Sequence, residues 1–194
     1  MPLPPSVARE ALHLRAIELH GYRRVDGLYD VEARMTDTKT EVLCVDSDRS
    51  IPPGEPIHDM WVRLVVDADL TVVDIVASTD AAPWGACVDG AQTLQALVGQ
   101  RLGPGWTKVI RERIGGRHGC THLRELLQPL ATVAFQTLFE VRRHQPQPVD
   151  AAGKPRKIDS CLAYAGDGDL VRRTWPEFAE ASGTPADSLA CRNK

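Results

Sequence analysis

The stretch that decides the fold is His58-Asp-Met-Trp-Val-Arg-Leu-Val-Val66, followed after Asp67-Ala-Asp69 by Thr71-Val-Val-Asp-Ile-Val-Ala77. The first run places an apolar residue at every second position from Met60 onward. That repeat is typical of a β-strand, whose successive side chains point to opposite faces. Because only a short polar turn separates the two runs, we expect them to form an antiparallel β-hairpin.

Strands and helices are also predicted on either side of this hairpin. Short apolar–polar alternations between Leu12 and Arg34 indicate one or two strands, broken near Asp26-Gly27. The alternating positions are Leu12, Leu14 and Ala16, and then Leu28, Asp30 and Glu32. Apolar residues at helical spacing predict three helices, over residues 89–99, over 106–114, and from Cys120 or Thr121 to about Val141, the last kinked at Pro129. The predicted fold class is therefore α+β, with antiparallel hairpins packed on about three helices.

The predicted domain organisation is one core with appendages. Its segments are a disordered N-terminus over residues 1–8, an α+β core over 9–143, an extended linker over 144–157, a second β-hairpin over 158–181 that packs on the core, and a disordered tail over 182–194. The second hairpin is placed around a predicted turn at Gly166-Asp-Gly-Asp169.

Composition excludes several classes of protein. Apolar residues make up 43% of the 194 residues and charged residues 25%, as in an ordinary globular protein. A net charge of −3 gives no electrostatic footprint for nucleic acid. No run approaches the roughly 18 apolar residues of a membrane span, and no signal peptide is evident. Five cysteines are too few for a disulfide scaffold, so we expect a cytoplasmic protein with free thiols.

The densest group of metal-binding residue types is His118-Gly-Cys120-Thr-His122. Thiolate and imidazole are the usual ligands of zinc and of iron–sulfur centres. Cys120 stands at the start of a predicted helix, where free amides favour a thiolate. The simpler interpretation is a helix-capping cysteine between two surface histidines. Since the chain has no Cys-x-x-Cys pair, any metal site must be assembled from distant segments.

Two further residues are candidates for such a site. Cys87 precedes a predicted helix, and His58 begins the first strand of the hairpin. Each has an ordinary alternative, a small buried apolar residue for Cys87 and a plain polar residue for His58. Cys161 is either another ligand or a half-buried strand thiol.

Charged residues supply candidates for catalysis and substrate binding. Arg23 and Arg24 are suited to clamp a carboxylate or phosphate, and the acidic residues near them are suited to act as a general base: Asp26, Asp30, Glu32 and Asp37. The alternative for both sets is a solvated charged surface.

The order of these candidate ligands resembles that of the iron–sulfur cluster scaffold family, represented by IscU and the N-terminal domain of NifU. The resemblance covers residues 54–140 and rests on Pro56-Ile-His58-Asp59-Met60, Gly85-Ala-Cys87 and His118-Gly-Cys120-Thr-His122. It implies a similar core. It also implies a ligand set with His58 or Asp59 first, Cys87 second, and Cys120 with His118 or His122 last.

Residues 21–175 also resemble an uncharacterised bacterial family. The matching segments are Gly21-Tyr22-Arg23-Arg24-Val25-Asp26-Gly27, Ile57 to Met60, Gly119 to Leu123, and Asp159-Ser160-Cys161. This resemblance implies no established activity beyond a loose association with small-molecule catabolism.

The leading hypothesis is a site that binds mononuclear zinc or iron, or an iron–sulfur cluster, through His58, Cys87, Cys120 and one of His118 or His122. As an enzyme it would use Asp59 as a base or as a partner of a ligand, and Arg23 or Arg24 to hold a small-molecule substrate. The alternatives are a metal or cluster carrier, a structural zinc domain that binds a partner protein, and a metal-free enzyme in which His122 activates Cys120. Self-association is left open.

Overall fold

The computed structural model describes residues 3–180, and the predicted tail over 182–194 lies outside them. The chain divides into two compact units, one up to residue 143 and one from residue 144, and each is described by itself. The first unit contains six strands: β1 (His13–Arg23), β2 (Tyr29–Lys39), β3 (Leu43–Cys44), β4 (Ser50–Ile51), β5 (Pro56–Val66) and β6 (Val72–Ala81). Its helices are α1 (Gly90–Thr93), α2 (Trp106–Ile114), α3 (Thr121–Thr137) and α4 (Phe139–Arg142).

The long strands form one antiparallel sheet in the order β1-β2-β5-β6, and the short strands β3 and β4 pair with each other. The predicted hairpin is β5 and β6, and the break at Asp26-Gly27 separates β1 from β2. The odd-numbered residues of β2 are buried, from Tyr29 through Met35. Leu14 and Asp30, which belong to the predicted alternation, are even-numbered residues, and their side chains therefore lie on the outer face of the sheet.

The core lies between one face of this sheet and the helices. α3 packs across β1, β2 and β5 and buries the apolar side chains Leu123, Leu126, Leu127, Leu130, Ala131 and Ala134. The indole Nε1 of Trp106, on α2, donates to the carbonyl of Leu127 at 3.0 Å, which ties the two helices together. The predicted α+β fold class is confirmed. The apolar residues at helical spacing explain this packing, because each helix buries one apolar face against the sheet.

Two predicted helices differ from those in the structure. The stretch from 89 to 99 is split into α1 and a 3₁₀ turn at Leu94–Leu97, and the side chain of Asp89 makes no capping hydrogen bond. α3 continues through Pro129 and ends at Thr137, before the separate turn α4. Proline is tolerated there because neighbouring packing, in which Leu126, Leu127 and Leu130 are buried, holds the helix.

The second unit corrects the prediction of a β-hairpin over 158–181. Its described part contains a 3₁₀ turn at Leu162–Tyr164, the helix α5 (Asp169–Thr174) and a 3₁₀ turn at Pro176–Phe178. Asp169 begins α5 and pairs with Arg172 one turn later at 2.7 Å. The glycine–aspartate run read as a hairpin turn is therefore a helix start, where an acidic residue is favoured by the helix dipole. The predicted linker contains an isolated bridge between Val149 and Pro155.

No helix within residues 3–180 has both the length and the apolar character needed to cross a membrane.

Candidate metal centre

The helix-covered face of the sheet changes from apolar to polar at one end. Asp37 is the next inward-facing position of β2 after Met35. It pairs with Arg15 on β1 and with His58 on β5. Residues that lie opposite each other on antiparallel strands point to the same face. These three side chains therefore form one polar row beside the apolar core.

Asp37 is the centre of this row and is only 2% exposed. Its Oδ1 accepts hydrogen bonds from Arg15 Nε at 2.8 Å and His13 Nε2 at 2.9 Å. Its Oδ2 accepts from Arg15 Nη2 at 2.8 Å and His58 Nδ1 at 2.9 Å. An ionised carboxylate can only accept, so both ring nitrogens that face it carry hydrogen. Four donors thus satisfy this buried carboxylate, which would otherwise be costly to desolvate.

The hydrogen bonds control the ionisation of Asp37. Burial raises its pKa, but the hydrogen bonds from Arg15 and His58 outweigh burial and lower the pKa from 3.8 to about 2. The hydrogen bond between Arg15 and Asp37 also raises the pKa of Arg15. Arg15 also donates from Nη1 to Glu125 of α3 at 2.6 Å. An Asp37–Arg15 pair that is ionised at neutral pH therefore links the end of the sheet to the helix that covers it.

His122 reaches the same place from the first turn of α3. Its ring lies against that of His58, with 3.8 Å between ring centroids and a 35° tilt. Ligand atoms of Asp37, His58 and His122 all lie within 4.8 Å of one another. The approach depends on Gly119, because a Cβ at that position would lie 2.6 Å from the carbonyl oxygen of Ile114. A side chain there would push the start of α3 away.

The surroundings keep His122 uncharged. Burial lowers its pKa below 6.5, and electrostatic interactions with His58 and Arg15 lower it further. A neutral imidazole has a lone pair on one nitrogen, which is the form that binds metal ions or accepts a proton. The site therefore presents a basic nitrogen at neutral pH beside an oriented histidine.

One of the two cysteines of the predicted ligand set, Cys120, lies at the margin of this cluster. Cys120 Sγ is 3.9 Å from His122 Nδ1. A Cβ on Gly90 would lie 2.8 Å from the Cβ of Cys120, so the start of α1 abuts this residue. Cys87 is partly buried and ends the 3₁₀ turn three residues before Gly90. Among residues 3–180, neither cysteine belongs to a group of three ligands with the close spacing of the histidine cluster.

Other predicted site residues lie elsewhere. His118 is exposed in the 3₁₀ turn before α3. Asp59 follows His58 on the strand and so points to the outer face of the sheet, where Arg34 binds both its oxygens at 3.0 and 2.7 Å. Arg23 and Arg24 lie at the β1–β2 turn, the far end of the strands from Asp37. Arg24 is paired there with Asp26 and Asp30.

Sequence reasoning missed His13 and Arg15, and it named Asp37 only as one of four candidate general bases. The signal for Asp37 was a carboxylate at the end of an inward-facing series, Tyr29, Val31, Ala33 and Met35. An acidic residue in phase with a buried series needs a partner. No comparable signal marked Arg15, since its role comes from the register between β1 and β2.

Fold and site together define an α+β domain in which a four-stranded antiparallel sheet carries a buried Asp–His–His cluster at one end. The chain belongs to a protein family of unknown function, DUF2889, whose sequence profile matches residues 13–136. The match begins with His13 and includes every member of the cluster. It confirms the predicted membership of an uncharacterised domain family. Neither the curated proteins nor the solved structures contain a match to this chain.

Proposed function

We propose that this protein binds a single divalent transition-metal ion, zinc or iron, through His58 and His122, and that the bound ion serves an enzyme acting on a small molecule. The observation that carries the proposal is the convergence of Asp37, His58 and His122, with ligand atoms within 4.8 Å. These residues come from two strands and a helix. Imidazole nitrogen suits zinc and iron, whereas a cluster would need several thiolates.

Asp37 acts in this proposal as the residue that orients His58. Because Asp37 accepts from Nδ1 of His58, the lone pair of the neutral ring is on Nε2, which is left to bind the metal. Metal-binding histidines commonly donate their second nitrogen to a carboxylate in this way. Asp37 already accepts four hydrogen bonds, so direct coordination by its oxygens would require breaking at least one.

Cys120 is the third ligand in this proposal, and it would move closer to His58 on binding, because Cys120, His58 and His122 do not form a group with the close spacing of the Asp37 cluster. Donors at about 2.3 Å (sulfur) and about 2.0–2.1 Å (nitrogen) from a tetrahedral zinc lie roughly 3.6 Å apart. The 3.9 Å between Cys120 Sγ and His122 Nδ1 is close to that separation. Three protein ligands leave one position for water or substrate, the pattern of catalytic zinc sites rather than structural ones. A fourth protein ligand such as Cys87 would instead favour a structural site or a carrier.

The experiment is metal titration of the full chain after chelator treatment, with Co²⁺ as a spectroscopic substitute for zinc. We expect one equivalent to bind, and His58→Ala and His122→Ala to abolish binding. His118→Ala is the matched control, since this histidine belongs to the same motif but is exposed. It should bind like the wild type. If the wild type takes up no metal, or if the control loses binding equally, the proposal fails.

A second measurement tests the cysteine. A Co²⁺–thiolate absorption band should be present in the wild type and absent from Cys120→Ala.

The 3.9 Å between Cys120 Sγ and His122 Nδ1 also favours a metal-free candidate, in which His122 activates Cys120 as a nucleophile. That alternative predicts rapid alkylation of Cys120 in metal-free protein, slowed by His122→Ala, with no metal binding.

A further inference from the structure

The two edges of the main sheet differ in how their backbone groups are satisfied. Along the start of β6, Val72 exchanges hydrogen bonds with Gln100 and Gly99 at 2.9 and 2.8 Å, and the side chain of Gln95 donates to the carbonyl of Ile75. Within residues 3–180, the backbone of β1 is paired with β2 alone. Its outer edge therefore presents a row of backbone donors and acceptors about 35 Å long, at about 3.4 Å per residue.

β1 also lacks several of the features that usually protect an edge strand, although it carries the charged residues Arg15, Glu18 and Arg23. Such strands are short, bulged, or carry lysine or proline. β1 has 11 residues, His13-Leu-Arg-Ala-Ile-Glu-Leu-His-Gly-Tyr-Arg23, with neither lysine nor proline. Its register with β2 is uninterrupted from end to end. Such an edge is suited to pair with another strand.

The apolar side chains of β1 are incompletely covered. Ile17 faces the core in line with Met35 and Met60. It is 36% exposed, although both methionines are fully buried. Leu19, the next inward position, is partly exposed as well. A strand added beside β1 would cover both residues and contribute apolar burial in addition to backbone hydrogen bonds.

We propose that β1 pairs antiparallel with β1 of a second copy of this chain, joining the two sheets into one, with Leu19 on the two-fold axis. Antiparallel pairing about Leu19 places Glu18 opposite the partner's His20, and Ile17 opposite the partner's Gly21. It also places Arg15 opposite the partner's Arg23, but Arg15 is already paired with Asp37 and Glu125, which offsets its charge. A two-fold axis repeats each pair, so the dimer gains two complementary Glu–His pairs. This inference does not depend on the metal site.

The alternative registers are less favourable. In each register, core-facing residues must lie opposite core-facing residues of the partner, because a shift of one residue moves core-facing side chains to the outer face. Pairing about Glu18 sets two carboxylates opposite each other, which is destabilising. Pairing about Ile17 sets Glu18 opposite the partner's Ala16 and loses the Glu18–His20 pair. Pairing about Leu19 is therefore more complementary than pairing about Glu18 or about Ile17.

The test is the mass of the full chain in solution, measured by light scattering with size exclusion over a wide range of concentration. We expect twice the monomer mass. In the proposed register Ala16 lies opposite the partner's Tyr22, and both are outer-face positions. The double variant Ala16→Lys/Tyr22→Lys should therefore be a monomer with an unchanged circular dichroism spectrum. The control Val73→Lys/Val76→Lys, at exposed positions of β6, should remain a dimer.

Charge complementation tests the register itself. The variant Ala16→Glu/Tyr22→Glu should also be a monomer alone. A mixture of the lysine and glutamate variants should regain the dimer mass, because each lysine then faces a glutamate of the partner. A monomeric wild type, a dimeric lysine variant, or a mixture that stays monomeric would each overturn the proposal. A wild-type monomer that captures an unrelated extended peptide along β1 would overturn it too.

Discussion

The buried carboxylate of Asp37 allows a quantitative prediction for the substitution Asp37→Asn. Asparagine has nearly the same shape but carries no charge, and its amide nitrogen is a donor facing Arg15, which is also a donor. The pKa of Asp37 is lowered from 3.8 to about 2. At about 1.36 kcal/mol for each pKa unit, that difference corresponds to about 2 kcal/mol of folding free energy.

The sign of the pH dependence follows from the lowered pKa. The folded protein holds the proton of Asp37 less tightly than the unfolded chain does. The contribution of this carboxylate to stability is therefore complete above pH 3.8 and is lost as the pH falls towards about 2. The stability difference between the wild type and Asp37→Asn should narrow as the pH falls below about pH 4.

The assay is urea unfolding followed by circular dichroism, with chelator present so that no metal contributes. We expect Asp37→Asn to lose about 2 kcal/mol at neutral pH. Asp26→Asn is the control, because Asp26 pairs with Arg24 at an exposed turn. It should be much less destabilising than Asp37→Asn, because an exposed ion pair contributes little to stability. Equal stability of Asp37→Asn and the wild type at neutral pH, or a difference that does not narrow in acid, would refute this reasoning.

Two further predictions concern the start of α3 and the histidine it carries. Gly119→Ala should lower stability by about 1–3 kcal/mol in thermal unfolding, because its Cβ would meet the carbonyl of Ile114 at 2.6 Å. Gly85→Ala is the control and should be less destabilising, because a Cβ at Gly85 would meet no atom within 4 Å. The ring of His122 should titrate below pH 6.5 in NMR spectra of metal-free protein, because burial and the neighbouring His58 lower its pKa. His58→Gln should raise that midpoint, and a wild-type midpoint at or above 6.5 would contradict the placement of His122.

The main elements of the first unit could be predicted because their signals are local. Period-two apolar alternation identified β5, and helical spacing identified α2 and α3. The second unit could not be predicted in the same way. The Gly166-Asp-Gly-Asp169 run suits either a hairpin turn or a helix start, and only Val171 of α5 is buried. With one buried position, no apolar period distinguishes a helix from a strand.

The predicted metal site remains a prediction, and the structure brings only some of its residues together. His58 and His122 were predicted and lie ring to ring. Asp59 was predicted as a base or as a partner of a ligand, whereas Asp37 was named only among the candidate general bases. Adjacent residues of a strand point to opposite faces, so Asp59 pairs with Arg34 on the outer face. The iron–sulfur scaffold resemblance and the role of Cys87 remain predictions.

The sequence by itself determined the α+β class, the inward-facing positions of β5 and the position of His122 at the start of a helix. These properties depend on residues a few positions apart, whose spacing sets the face on which each side chain lies. Only the tertiary structure decided that Arg15, Asp37 and His58 share one row, because strand register joins residues more than 20 positions apart. The Asp–His–His cluster exists because that row lies beneath the first turn of α3, a distance relation that no local pattern encodes.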